Sequence, residues 1–426
     1  VCSLGLLFAS SPKLLAGNWP EWRGPEHNGI SAEKNLPTEW DSKTNVAWRL
    51  PLPGAAGATP CVWGDSIFLT SATDEGPLVL LCVGTDGKER WRRTIAESGN
   101  KKVRNDEGNM ASPSPTTDGK HVWVMMGTGD VACFDFAGKE VWKFNLQERY
   151  GKFHIAFGMA STPVLYKDRI YFQLIHGEGK ADTQDAYVLA LDKATGEQVW
   201  KVDRITGAYR ENEHSYASPM LYDDGKMQYL ITHGGDYAIA YNLEDGSERW
   251  RLAGLNPHDD PNRRYHETLR FVASPVASEG LVVVPTAKNG PVVAIKGTAS
   301  GMVDEDSPAH TWTMRKNTPD VPSPLIKDGL VYLCRENGNL MCLDAKTGEQ
   351  LYEERTHRDR HRASPVLADG KIYLTSRDGT ITVVKEGKTF EMIAQNQLGE
   401  EISASPAFAD GTIYFRTFDA LWAIRK

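Results

Sequence analysis

The stretch RASPVLADGKIYL (residues 362–374) decides the fold. It opens with a small residue, Ser and Pro, turns at Asp-Gly, and continues into an alternating run that has the period-2 signature of a strand. Aligned against the rest of the chain, the unit recurs eight times. Its proline anchors are read at Pro60, Pro113, Pro163, Pro219, Pro275, Pro324, Pro365 and Pro406, at intervals of 53, 50, 56, 56, 49, 41 and 41 residues. Asp-Gly follows at 118–119, 224–225, 328–329, 369–370 and 410–411, then strands such as LVYLC (330–334) and a further strand such as LMCLD (340–344) or YVLALD (187–192).

Each unit closes on a turn and an aromatic ring: DGKERW (86–91), AGKEVW (137–142), TGEQVW (195–200), DGSERW (245–250) and TGEQLY (347–352). In all five the ring lies four residues after the turn glycine. Glycine supplies the left-handed turn conformation at no steric cost, and the following strand delivers a large side chain to a fixed place between neighbouring sheets. Trp91, Trp142, Trp200, Trp250, Trp312 and Tyr352 are therefore expected to act as repeated rivets. Four short strands per unit, eight units and no helical periodicity predict an all-β chain, an eight-bladed β-propeller of four-stranded antiparallel blades. The last unit supplies only three strands, whereas NVAWRL (45–50) precedes the first proline without a unit of its own. That strand is expected to complete the last blade and close the ring, which protects the sheet edges.

The recurring ALDKATGEQVW pattern (190–200), with its Ser-Pro strand starts, resembles the tryptophan-docking repeat of eight-bladed PQQ-like propellers. The likeness extends over nearly the whole chain from Trp19 and includes the lead-in WPEWRGPEHNGIS (19–31). That superfamily contains quinoprotein alcohol dehydrogenases and non-enzymatic BamB-type assembly lipoproteins, so the resemblance implies either a binding scaffold or a dehydrogenase using PQQ with Ca2+. Such dehydrogenases hold PQQ over a Trp and against an adjacent Cys-Cys disulfide. This chain has no Cys-Cys pair.

The chain of 426 residues is 40% hydrophobic and 24% charged, with a formal net charge of -8. A net negative protein offers no general attraction for nucleic acid or an anionic membrane, and no nucleic-acid partner is expected. The N-terminal VCSLGLLFASSPKLLAG (1–17) resembles the later part of a secretory signal peptide, followed by a lead-in at 18–44 and a single propeller at 45–426. No segment approaches the roughly 18 consecutive apolar residues of a spanning helix. The reading is an exported protein, periplasmic or secreted, and a monomer. Cysteines at 2, 61, 82, 133, 334 and 342 have neither zinc nor haem spacing. They are expected to be small buried hydrophobes, with Cys334 and Cys342 on opposite faces of one hairpin.

In such propellers the segments entering each blade converge on one mouth of the central channel. Those segments and the hairpin turns of the same face carry His154, His176, His214, His233, His266 and His361, mixed with Arg104, Asn109, Glu213, Glu267, Arg270, Arg335, Arg362 and Glu401. Imidazoles and guanidinium forks suit a small anionic or polyhydroxylated ligand. The expected ligand-binding set is Arg104, Asn109, His154, Glu213, His214, His233, His266, Arg270, Arg335, His361 and Arg362, engaging a small polar ligand or an extended envelope-protein partner. HETLR (266–270) lacks the second His of a zinc protease, and DEDS (304–307) lacks EF-hand spacing, so no metal is assigned. The repeated Ser-Pro is read as architecture, since no GxSxG elbow surrounds it.

Overall fold

A computed structural model describes residues 17–98, 108–180, 185–256, 265–287 and 290–426. Eight antiparallel sheets follow one another along the chain. The sixth is representative: Leu325–Lys327, Leu330–Cys334, Asn339–Asp344 and Gln350–Arg355 pair in order from the channel outwards. Its second and third strands are buried at almost every position, because neighbouring blades cover both faces, whereas the outermost strand is half-buried or exposed throughout. In blade 8 the strands Ala407–Ala409, Thr412–Arg416 and Ala420–Ile424 are completed by Val46–Pro51, which pairs antiparallel with the third. Two blades carry a fifth strand, added in parallel: Gly301–Val303 beside Glu248–Leu252, and Ile30–Ser31 beside Val366–Ala368.

The closing tryptophans dock on the next blade's turn. Gly196 has φ +72°, and a Cβ built there would lie 2.8 Å from the Trp142 ring, so glycine is required both by conformation and by contact. The Trp142 indole N–H reaches the Lys193 carbonyl at 3.0 Å. Trp48, Trp91, Trp200 and Trp312 likewise donate to Thr85, Phe136, Leu243 and Ala345 carbonyls at 2.9, 2.9, 3.0 and 2.9 Å. Burial and a satisfied N–H together make each ring a rivet. Trp250 departs from the pattern, because the following turn reads KGTASG. It meets Tyr229 edge to face, and the Tyr229 hydroxyl donates to the Gly297 carbonyl at 2.8 Å in place of an indole.

Two details of the sequence reading change. The second unit is anchored at Pro115, not Pro113: Ser114 takes the place that Thr59 and Thr162 hold in their blades, and Thr116–Thr117 starts the strand. SPSP offers both registers, and only inter-blade hydrogen bonding selects one. Cys334 pairs with Leu340, and Cys342 with Tyr332, so the two cysteines share a face and one apolar cluster. Both are free and buried, as are Cys61, Cys82 and Cys133.

The lead-in is part of the fold. Trp19 exchanges backbone hydrogen bonds with Val62 and packs on Phe408, Trp40 stacks on Tyr373, and both are buried. Between them, Trp22 and Arg23 cross the end of the channel. Of the stretch 1–17 read as a signal remnant, residues 1–16 lie outside the described residues.

Candidate functional site at the channel mouth

The segment entering each blade presents alternate residues to the channel. The ring nearest the first strands is made by Thr59, Ser114, Thr162, Ser218, Ser274, Ser323, Ser364 and Ser405, the residues before the anchoring prolines. Seven links join them: each backbone N–H, from Thr59 to Ser364, donates to the hydroxyl of the next blade's residue at 2.9 Å. This belt explains why a hydroxyl precedes every proline. It gives a buried N–H an acceptor across each of these seams, and an unmet buried N–H costs about 1–3 kcal/mol.

Two residues earlier stands a second ring of Gly57, Ser112, Ala160, Tyr216, Val272, Val321, Arg362 and Ser403. Here no residue type dominates. Above it opens a mouth of ≈ 740 Å³ to which all eight entering segments contribute. Among the described residues, its charged lining consists of Glu211, Asp320 and Glu336 against Arg270, Arg360 and Arg362. Arg270 bonds Glu211 at 3.1 Å, and Arg362 and Arg360 lie 3.1 and 3.6 Å from Glu336. Phe157 and Tyr216 form an edge-on pair at 5.7 Å, with the Arg270 guanidinium 5.1 Å above the Phe157 ring. The mouth is thus charge-balanced and amphipathic rather than cationic. At the far end, beneath the belt, Trp22 lines the lumen.

Of the residues singled out in the sequence, Arg270 and Arg362 line the mouth. The histidines do not converge there. His176 and His233 are fully buried, their rings set against Phe153 and Tyr187 in one case and Phe271 in the other. His361 is fully buried, with Nδ1 donating to the Asp359 carbonyl at 3.0 Å, and His214 Nε2 lies 3.0 Å from the Gly177 carbonyl. Burial depresses all four pKa values: to about 4 for His176 and His361, to about 3 for His233, and downwards for His214. They are neutral core groups at pH 7. His154 stands half exposed 3.9 Å from Glu178, and the exposed His266 uses its backbone to hold Asn212 and Asn256.

The remaining predicted residues are likewise committed. Asn109 ties its loop to the Ala55 carbonyl at 2.7 Å, and buried Glu213 accepts the Gly179 N–H at 2.6 Å. Arg335 turns towards Glu353 at 3.0 Å. Glu267 and Glu401 pair with Arg210 and Arg377 at 3.9 and 3.3 Å. Arg104 lies outside the described residues. Sequence reasoning did not single out Phe157, Glu211, Tyr216, Asp320, Glu336 or Arg360. The signal for Tyr216 was available: it stands two residues before a belt hydroxyl, as Arg362 does.

Eight four-stranded blades, docked tryptophans and a lead-in across one channel end define an eight-bladed PQQ-like propeller. A family model described as outer membrane protein assembly factor BamB matches residues 78–351 and 299–390, more than half of the chain, and the chain belongs to that family. A curated relative, the outer membrane protein assembly factor BamB of Yersinia pestis, is 23% identical over 177 residues. That match spans 39% of this chain and 39% of the relative. Among solved structures, BamB from Moraxella catarrhalis superposes with a TM-score of 0.62 at 13% identity, covering 89% of this chain and 97% of its own. A quinohemoprotein alcohol dehydrogenase from Comamonas testosteroni gives 0.68 at 13%, covering 96% and 81%. A europium-containing methanol dehydrogenase gives 0.68 at 14%, covering 95% and 90%. At such identities these structures share the fold alone.

Proposed function

We propose that this chain is an exported, non-enzymatic scaffold of envelope-protein assembly that holds an extended segment of a partner protein across the channel mouth. The observation that carries this reading is the mouth itself, which is built from all eight blades, balanced in charge, and shelved by Phe157 and Tyr216. Paired guanidinium and carboxylate groups beside aromatic faces suit a peptide, which brings carbonyls, N–H groups and apolar side chains together. The BamB relatives, named as outer membrane protein assembly factors, support a protein as the partner. Among the described residues, no helix is long and apolar enough to cross a membrane.

The test is photocrosslinking in envelope extracts, with the reactive residue placed at Tyr216 or Thr268 in the mouth, or at Val199 on the outer surface of blade 3. A discrete adduct from the mouth positions is expected. Adducts from Val199 alone would move the partner to the outer rim and overturn the reading.

A dehydrogenase would have to place its cofactor among the same residues. PQQ is a planar tricarboxylate, and with a bound metal ion it needs uncommitted cations and converging carboxylates. The mouth arginines already lie within ion-pair reach of Glu211 and Glu336, and among the described residues no group of three or more His, Cys, Asp or Glu could hold a metal. The residues do not fit that pair, so no redox step is assigned. Dye reduction with alcohols after addition of PQQ and Ca2+ is expected to give no turnover, and turnover would reinstate the dehydrogenase.

A further inference from the structure

Beneath the mouth, the lumen between the second ring and Trp22 has a volume of ≈ 130 Å³, room for about four waters at bulk density. Its wall is the hydroxyl belt, every member of which is at least nine-tenths buried. From Ser114 round to Ser405, each oxygen accepts one backbone N–H and finds no acceptor for its own proton among the described residues. A hydroxyl has both roles, so the belt leaves a ring of O–H donors around the lumen.

A second observation points the same way. Arg23, fully buried beside Trp22, gives its terminal nitrogens to the Pro324, Pro365 and Asn28 carbonyls at 2.7, 3.0 and 3.0 Å, and its Nε has no acceptor. Pro324 and Pro365 directly follow the belt residues Ser323 and Ser364. Arg416, also fully buried, bonds the Ala56, Thr417, Gly54 and Thr70 carbonyls next to the Gly57 entrance, and its Nε is again unmet. Neither guanidinium forms an ion pair among the described residues. The buried Glu21 offsets part of the Arg23 charge, whereas Arg416 has only the exposed Asp419 near it, and the free O–H donors of the wall add to that positive field.

We infer that the Trp22 end of the channel binds a compact monoanion, either a free halide or a carboxylate group, through the O–H ring of the belt. This site lies below the mouth and is independent of whether a peptide engages there.

Bromide is the probe. Anomalous diffraction from crystals of the full chain in sodium bromide is expected to place bromide in the lumen between the belt and Trp22. In solution, bromide at constant ionic strength should raise the melting temperature along a saturating curve. Acetate should compete with it, and the neutral isostere acetamide should not. The S323A/S364A double variant removes two donors and is expected to weaken bromide about tenfold, with S323T/S364T restoring it. Because these hydroxyls also join blades, the wild-type measurements stand even if the alanine variant unfolds. A lumen without bromide, a bromide effect that rises linearly without saturation, or equal competition by acetamide would each overturn the assignment. Competition by acetate marks a carboxylate site, and bromide alone marks a halide site.

Discussion

The belt and the ring above it lie on the same eight segments, two residues apart, and they are opposites. Position 59 and its counterparts carry only Ser or Thr, and the eight residues are joined by seven hydrogen bonds of 2.9 Å. Position 57 and its counterparts carry Gly, Ser, Ala, Tyr, Val, Val, Arg and Ser. In the first ring every blade solves the same problem, a buried N–H facing a neighbour, and repetition is its signature. In the second, the side chains meet no neighbouring backbone in common and are free to differ. Tyr216 and Arg362, its two large members, stand beside the mouth's aromatic shelf and its Glu336 pair. Uniformity marks construction in this molecule, and departure from it marks the mouth proposed to receive a partner.

That contrast breaks first at the rivets. Trp200→Ala should cost about 3–5 kcal/mol in chemical denaturation, from lost burial and a lost bond to Leu243. A loss below about 1 kcal/mol would mean that the blades do not depend on docked rings.

The next largest effect separates the buried histidines from the mouth. His176 has its pKa lowered by burial from 6.5 to about 4. The unfolded chain therefore takes up protons that the folded chain refuses between those values. Stability is fully present above about pH 6.5 and falls as pH drops towards 4, by on the order of 3 kcal/mol for this group. Denaturation midpoints across that range should slope less steeply in His176→Phe than in the wild type. An unchanged slope would show that burial does not lower the His176 pKa.

A smaller loss, roughly 1–3 kcal/mol, is expected for Ser218→Ala, which leaves the Thr162 N–H without its acceptor. Ser218→Thr should recover it, and failure to do so would show that the belt responds to shape rather than to the hydroxyl. Smallest of all is Arg362→Ala, expected to cost no more than about 1 kcal/mol because its pair with Glu336, though partly buried, borders the open mouth. Its effect should appear instead as a lower yield of the Tyr216 crosslink. A large fall in stability with an unchanged crosslink would reassign Arg362 to construction.

Much of the fold was legible because propeller repeats write their physics locally. Gly196 and Trp200, four residues apart on one hairpin, reveal a turn and a docking ring without knowledge of the partner blade. The register of SPSP was not legible, since Ser112 and Ser114 differ only in which one meets the Thr59 N–H. The mouth was legible as a set of loops but not as a set of side chains. His361 and Arg362 are adjacent in sequence; the first turns inward to the Asp359 carbonyl and the second outward to Glu336.

By itself, then, the sequence determined the number of blades, the strand that completes the last one, and the places where rings and turns must meet, because these follow from periodicity and from contacts between near neighbours. Only the tertiary structure decided that the histidines are core groups, that the mouth arginines are paired, and that the Ser-Pro hydroxyls form one belt around a lumen floored by Trp22. Those properties arise between segments as far as 342 residues apart, and a side chain's charge, partner and function depend on what the other blades bring to meet it.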